Sequence, residues 1–194
     1  MDENLAKIRH ERSKRDFPGL KLEEGEYVEY AFRRAKVCLL MIIMGTAFGV
    51  IVVLLGFLLA LMGQSMIDEM GKNFLYIILF ALLAAAVIMG MIAMMTYNGN
   101  RLYVTNRRVV QLVMNSLVSS SRNVIDLPSV EDVSYHQDGI MQKLFGYGTL
   151  RLATVGDETT YTFKFSDISQ DDLEGISKLV SEAKKKHHKK TEKE

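Results

Sequence analysis

From Val37 to Gly63 the chain carries no charged residue, no proline and no amide side chain. At 1.5 Å per residue, a helix of that length covers roughly 40 Å, more than the ~30 Å hydrocarbon layer of a bilayer. A helix buried in a soluble core would keep a polar stripe, and this run has none. A second uncharged run, Phe74 to Tyr97, is also long enough to span. Only Gln64 to Asn73 lies between them, so the two are expected to form an antiparallel membrane hairpin. Arg33, Arg34 and Lys36 precede the first span, and Arg101, Arg107 and Arg108 follow the second, while the connection carries Asp68, Glu69 and a single Lys72. The positive-inside rule then places both termini in the cytoplasm and makes this a multi-pass protein of the inner membrane.

Small residues line the spans. At about 100° per residue, Gly45, Gly49, Gly56 and Gly63 fall within roughly 40° of one another on the first helix, and Gly45 and Gly49 have GxxxG spacing. On the second, Ala86, Gly90 and Ala93 share a face. Depth counted from the cytoplasmic ends pairs Gly45 with Gly90 and Gly49 with Ala86, which is the expected closest crossing. Gly56 and Gly63 serve the same contact or a second subunit. Cys38, Met41, Met44, Met91, Met94 and Met95 lie in one layer, and soft sulfur ligands can hold Cu(I). Without a histidine or a second cysteine the layer reads as flexible apolar packing. No metal and no cofactor are expected.

The chain has 194 residues, a net charge of +1 and one cysteine. That balance argues against a nucleic-acid surface, and a single cysteine allows no internal disulfide. The expected organisation is a cytoplasmic N-terminal segment (1–36), the hairpin (37–97, with helices 37–63 and 74–97), a small domain (98–183) and a basic tail (184–194). Residues 2–16 read as a solvated, frayed helix or a weak membrane-surface helix. The first apolar run starts too late and is too long for a cleavable signal. Phe17-Pro18-Gly19-Leu20 marks a turn, and Leu22 to Tyr30 reads as a short strand or extended lead-in.

The domain opens with Leu102 and Val104 alternating with Tyr103 and Thr105, and Asn106-Arg107 forms a tight turn in which Asn supplies left-handed backbone. Val110, Leu112 and Met114 share a face, and further short strands run through Ile125, Val133, Leu150 and Phe163. Gly156-Asp157 reads as a hairpin turn. Ser169 and Asp172 have capping-box spacing, ahead of a helix whose face is Leu173, Ile176, Leu179, Val180 and Ala183. The expected fold is α+β: a transmembrane hairpin, then six or seven antiparallel strands in a small, nearly closed barrel capped by the C-terminal helix.

Three segments occurring in order resemble the bacterial pleckstrin-homology-like family of YdbS type: Arg101 to Val110, Val124 to Val133, and Lys143 to Leu152. Within them Thr105, Asn106 and Arg108 match the first hairpin of the family motif, and Gly146 and Gly148 match its Leu-Phe-Gly-x-Gly turn. The resemblance implies a PH-like barrel facing the cytoplasm, and no catalysis.

The residues agree with a non-enzymatic reading. Arg151 stands where a dinucleotide loop would need its third glycine, and Glu131 and Asp132 alternate across a strand. The candidate anion or lipid contacts are Arg107 and Arg108 together with Lys184, Lys185, Lys186, Lys189 and Lys190. Against them stands the reading of the arginines as surface residues pairing with Asp126 or Glu131, and of the lysines as a solvated helix end. The leading expectation is an interaction, scaffolding or oligomerisation module integral to the bilayer, with itself or another membrane protein as partner. Sensing of anionic headgroups is the alternative, and a transporter or channel subunit is a weaker one.

Overall fold

A computed structural model describes residues 2–63, 68–154 and 160–191. The Gly156-Asp157 turn and the Lys190 side chain lie outside the described residues. Helix α1 (Asp2–Asp16) leads to strand β1 (Val28–Arg33), followed by two long helices, α2 (Lys36–Met62) and α3 (Glu69–Gly99). Strands β2 (Arg101–Thr105), β3 (Arg108–Met114) and β4 (Ser120–Asp126) come next, and a 3-10 turn at Leu127–Ser129 leads to β5 (Val130–His136). A short helix α4 (Ile140–Phe145), strands β6 (Gly148–Thr154) and β7 (Thr160–Ser166), and helix α5 (Gln170–Thr191) complete the chain.

Both α2 and α3 are long and apolar enough to cross a membrane, and neither buries a residue in the rest of the protein. They pack on each other. A Cβ at Gly49 would lie 3.8 Å from that of Ala86, and one at Gly90 would come within 2.6 Å of the Thr46 side chain. Gly45, expected opposite Gly90, has open space at its Cβ position: the close contact belongs to its neighbour Thr46. Gly45 and Ala93 instead line a shallow groove beside the crossing. Gly56 faces Leu79 at 3.3 Å, and among the described residues Gly63 meets only its own helix's Leu59 carbonyl.

The strands form two antiparallel sheets, ordered β1-β2-β3-β4 and β5-β6-β7. The nearly closed barrel expected from the strand count is therefore not formed by hydrogen bonding. Pro128, which has no N–H to offer a ladder, interrupts the chain between β4 and β5. At the other edge β1 turns into α2 after Arg33, leaving one bridge, Arg34 to Ser166, and a bond from Ala35 N to Phe165 O (2.6 Å). The main core fills the space between the sheets with Leu102, Val104, Val109, Leu127, Leu150 and Leu152, and α5 closes it with Ile176 and Val180. Ser169 and Asp172 form the capping box that starts α5: Asp172 N donates to Ser169 Oγ at 3.1 Å, and Ser169 N to Asp172 Oδ2 at 3.4 Å. The helix runs through the lysine segment to Thr191.

The first sheet takes β1 from ahead of the long helices. β1 and β2 are antiparallel neighbours, with Arg33 opposite Arg101. Where a β-hairpin would have a short turn, this chain has α2 and α3. The outer face of the sheet is covered as well. Leu20, Tyr103 and Val110 form a second buried cluster, joined by Phe17, Leu22, Val28 and Leu112. Helix α1, expected to be frayed, is tied down by His10 and Ser13, both buried. Ser13 Oγ accepts from Val28 N (3.0 Å), and His10 Nδ1 lies 2.5 Å from the Glu26 carbonyl.

Two outcomes follow. Continuing the register makes Ala35 the partner of Gly99, so replacing residues 36–98 by Asn-Gly closes β1 and β2 with a two-residue hairpin loop; the product should fold as a soluble protein with a cooperative melt. In the full chain, Gly49→Cys with Ala86→Cys, in a Cys38→Ala background, should oxidise to an intrachain disulfide, because the 3.8 Å separation suits the usual Cβ–Cβ distance of about 3.5–4.5 Å. A Leu54→Cys/Leu82→Cys control should not.

Candidate interaction site

The basic residues singled out by the sequence gather at one end of the domain, and there they divide into two groups. Strand β2 starts one residue after α3 and runs away from it, so its five residues at ~3.3 Å each carry the β2–β3 turn roughly 16 Å from the helix stems. The turn is not built on a left-handed asparagine, since among the described non-glycine residues only Phe165 has positive φ. Asn106 works through its side chain. Its Oδ1 accepts from Tyr27 N at 3.1 Å and its Nδ2 donates to Gly25 O at 3.2 Å.

Arg108 is committed to the interior. It forms a two-point pair with Glu26, Nε to Oε1 at 2.9 Å and Nη2 to Oε2 at 2.8 Å, and Nη2 also donates to the Lys21 carbonyl at 2.9 Å. The Glu26 side chain is fully buried. Thr105 Oγ1 donates to its Oε1 (2.8 Å), Glu23 N donates to its Oε2 (2.9 Å), and Thr105 Oγ1 accepts from Arg108 N (2.9 Å). Burial alone would push the Glu26 carboxyl up. The hydrogen bonds from Arg108, Glu23 N and Thr105, together with the Arg108 charge, outweigh burial and hold it below the usual carboxylate range. Thr105, Asn106 and Arg108 thus clasp the segment Lys21–Tyr27 to the sheet. The expected partners Asp126 and Glu131 are not the ones used: Arg107 pairs with Glu23 at 3.3 Å, and Arg108 with Glu23 and Glu26. Sequence reading missed Glu26. Its only signal is the acidic run Glu23-Glu24-Gly25-Glu26 facing two arginines more than eighty residues later.

Arg107 remains half-exposed and borders a groove with Asn106, Asp126, Pro128, Ser129, Ala183, Lys186 and His187. Helix α5 delivers the last three, and its Lys184 Nζ donates to the Glu131 carbonyl (3.1 Å). Lys185, Lys186 and Lys189 are exposed. The two basic segments nominated separately by the sequence, the first hairpin and the lysine run, thus meet at the end of the domain opposite α2 and α3.

The glycines of the other motif sit at the helix-stem end. Gly146 ends α4 in the left-handed conformation (φ 68°), and a Cβ at Gly148 would lie 2.5 Å from the His136 carbonyl. They shape a turn between α4 and β6.

Glu26→Ala should cost about 3 kcal/mol, the lower end for a broken buried pair because Arg108 keeps some solvent contact, as read by denaturant unfolding in nanodiscs. Because the folded carboxyl sits below its unfolded value of about 4.3, the stabilisation is complete above roughly pH 5, begins to fade as pH falls through that unfolded value and is lost as pH passes the folded one. In Glu26→Ala that acid-range slope should shrink.

The bacterial PH domain family matches residues 30–184. No curated protein matches the chain. Among solved structures, a DUF1696 family protein with a pleckstrin-homology domain from Shewanella loihica PV-4 is similar, at 14% identity over 44% of this chain and 70% of that one, with a TM-score of 0.32. The acidic half of the clasp lies ahead of the matched residues and its basic half lies within them. Since the match begins inside β1 and runs into α5 with both long helices included, this chain belongs to the bacterial PH domain family.

Proposed function

We propose that this protein is a non-enzymatic, membrane-anchored PH-like module, held by α2 and α3 at the inner face of the cytoplasmic membrane with both termini in the cytoplasm. Its far end would meet a protein partner or another copy of itself. Exposed apolar side chains all along α2 and α3, among them Phe48 (69%), Phe74 (66%) and Phe80 (74%), support the anchoring, because such a surface is unstable in water. Arginine and lysine flanking the stems, against a single lysine in the α2–α3 connection, support the orientation.

The observation that carries the interaction reading is the convergence of Arg107 with Lys186 and its neighbours around one groove, at the end of the domain away from the helix stems. Sensing of headgroups in the same leaflet fits less well. Arg108 is consumed by Glu26, and the remaining cations sit more than a Debye length of roughly 8 Å from where that leaflet would lie. A groove rimmed by cations suits an acidic protein segment. The polar constellation with a perturbed carboxyl, Glu26 with Arg108 and Thr105, is saturated by its own hydrogen bonds, which agrees with a module that performs no chemistry.

A photo-crosslinking residue in place of Lys186, in the full chain in native membranes, should give a discrete protein adduct. The adduct should be lost in Arg107→Glu/Lys185→Glu and weakened by salt near ~0.5 M. Adducts to lipid alone, unaffected by charge reversal, would refute the proposal in favour of headgroup sensing.

A further inference from the structure

The domain's exposed apolar residues are not spread over its surface. Among the described residues after Asn100, eight large apolar side chains are exposed: Leu117, Val118, Val124, Ile140, Met141, Leu144, Phe145 and Phe165. All but Val124 lie at the end where α2 and α3 join the sheets, as the hydrogen bonding shows. β5 ends at His136, β6 begins at Gly148 and β7 ends at Ser166, which bridges to Arg34. α4 is the connection between the first two of these, so it projects from that end. Tyr147, just after α4, lies beside Phe165 with the rings tilted (6.0 Å between centroids), and Phe165 O accepts from Ala35 N, one residue before α2. On the other side, Asn100, one residue after α3, donates to the Met114 carbonyl at 3.0 Å. Leu117 and Val118 follow in the β3–β4 loop. The opposite end presents Glu23, Arg107, Asp126 and Lys186.

Helix α4 itself is Ile-Met-Gln-Lys-Leu-Phe, with no buried residue. Ile140 with Leu144, and Met141 with Phe145, are four apart and share a side of the helix. Ile140 is 84% and Leu144 72% exposed, and Val118 in the neighbouring loop is 97% exposed. A six-residue helix with no fully buried side chain lacks the packing that sustains a short helix in water. Apolar residues on one face and Lys143 beside them make the composition of a segment lying in a bilayer interface.

We infer that this rim, α4 with Ile140 and Leu144 together with Val118 of the β3–β4 loop, is a lipid-docking surface that enters the headgroup–acyl boundary of the leaflet from which α2 and α3 emerge. The inference rests on the membrane reading given above and adds a second, monotopic attachment to it. Continuity with the helix stems selects lipid as the occupant, because a protein covering this rim would have to fit between the domain and the bilayer. Lys143 reaches back to the phosphates while its neighbours sink roughly 5–10 Å below them. Docking at both sides of the stems sets the domain upright, with the Arg107–Lys186 groove toward the cytoplasm.

Single cysteines at Ile140, Leu144, Val118, Ser129 and Phe48, each in the full chain with Cys38→Ala, can carry an environment-sensitive fluorophore in nanodiscs. Labels at Ile140, Leu144 and Val118 should be quenched by lipids with a nitroxide near the headgroup several-fold more than the label at Ser129, and should resist aqueous iodide. The Phe48 label should respond to a nitroxide deep in the acyl chains. If Phe48 responds while the rim labels stay as open to iodide as Ser129, the docking inference is wrong and the membrane anchor stands. Rim labels shielded from iodide but untouched by either lipid quencher would overturn it in favour of a second copy of the chain. A Phe48 label that no lipid quenches would bring down the anchor, and the rim with it.

Discussion

The ladder between β1 and β2 is the constraint from which the arrangement of this protein follows. Two adjacent antiparallel strands must be joined at one end, and here the joint is a pair of helices in place of a turn. Whatever holds α2 and α3 therefore grips the sheet at its edge strand β1 and at β2 beside it. Tyr97 OH to Arg34 O (3.2 Å), Ala35 N to Phe165 O and the Asn100 amide on β3 brace the junction further. The domain so mounted has a defined top and bottom, because every strand direction is measured from that junction.

That polarity gives the side chains their meaning. Arg107 and the lysines of α5 are distant in sequence, yet they meet because β2 and α5 both run away from the stems. α4 and the β3–β4 loop meet at the other end because β3 and β5 both run toward the stems. Charge at one end and apolar surface at the other is what the proposed upright placement would require, with lipid as an apolar solvent on one side and a partner met through water on the other.

The clasp of Lys21–Tyr27 explains why a family motif need not be a binding motif. Thr105, Asn106 and Arg108 spend their hydrogen-bonding capacity on the chain's own N-terminal segment. A carboxylate as buried as Glu26 is tolerable only with such a complete set of donors. The same clasp lets the first sheet bury both faces, so Tyr103 and Val110 become a second core while Val109 joins the main one.

The sequence by itself determined the two apolar helices, the helix-starting box at Ser169 and Asp172, and the alternating strands that place Leu102, Val104, Leu150 and Phe163 inside. These are patterns of local period, and the physics that reads them is local. The resemblance carried by Thr105-Asn106 and Gly146-x-Gly148 pointed to the right family for the same reason, as both are short turn motifs. Only the tertiary structure decided that β1 belongs to the domain, that Glu26 and not Asp126 holds Arg108, and that Thr46 and not Gly45 meets Gly90. It also decided that two open sheets stand where a nearly closed barrel was expected. Each depends on which distant segments become neighbours, and about sixty helical residues separate β1 from the strand it pairs with. No window along the chain contains both partners.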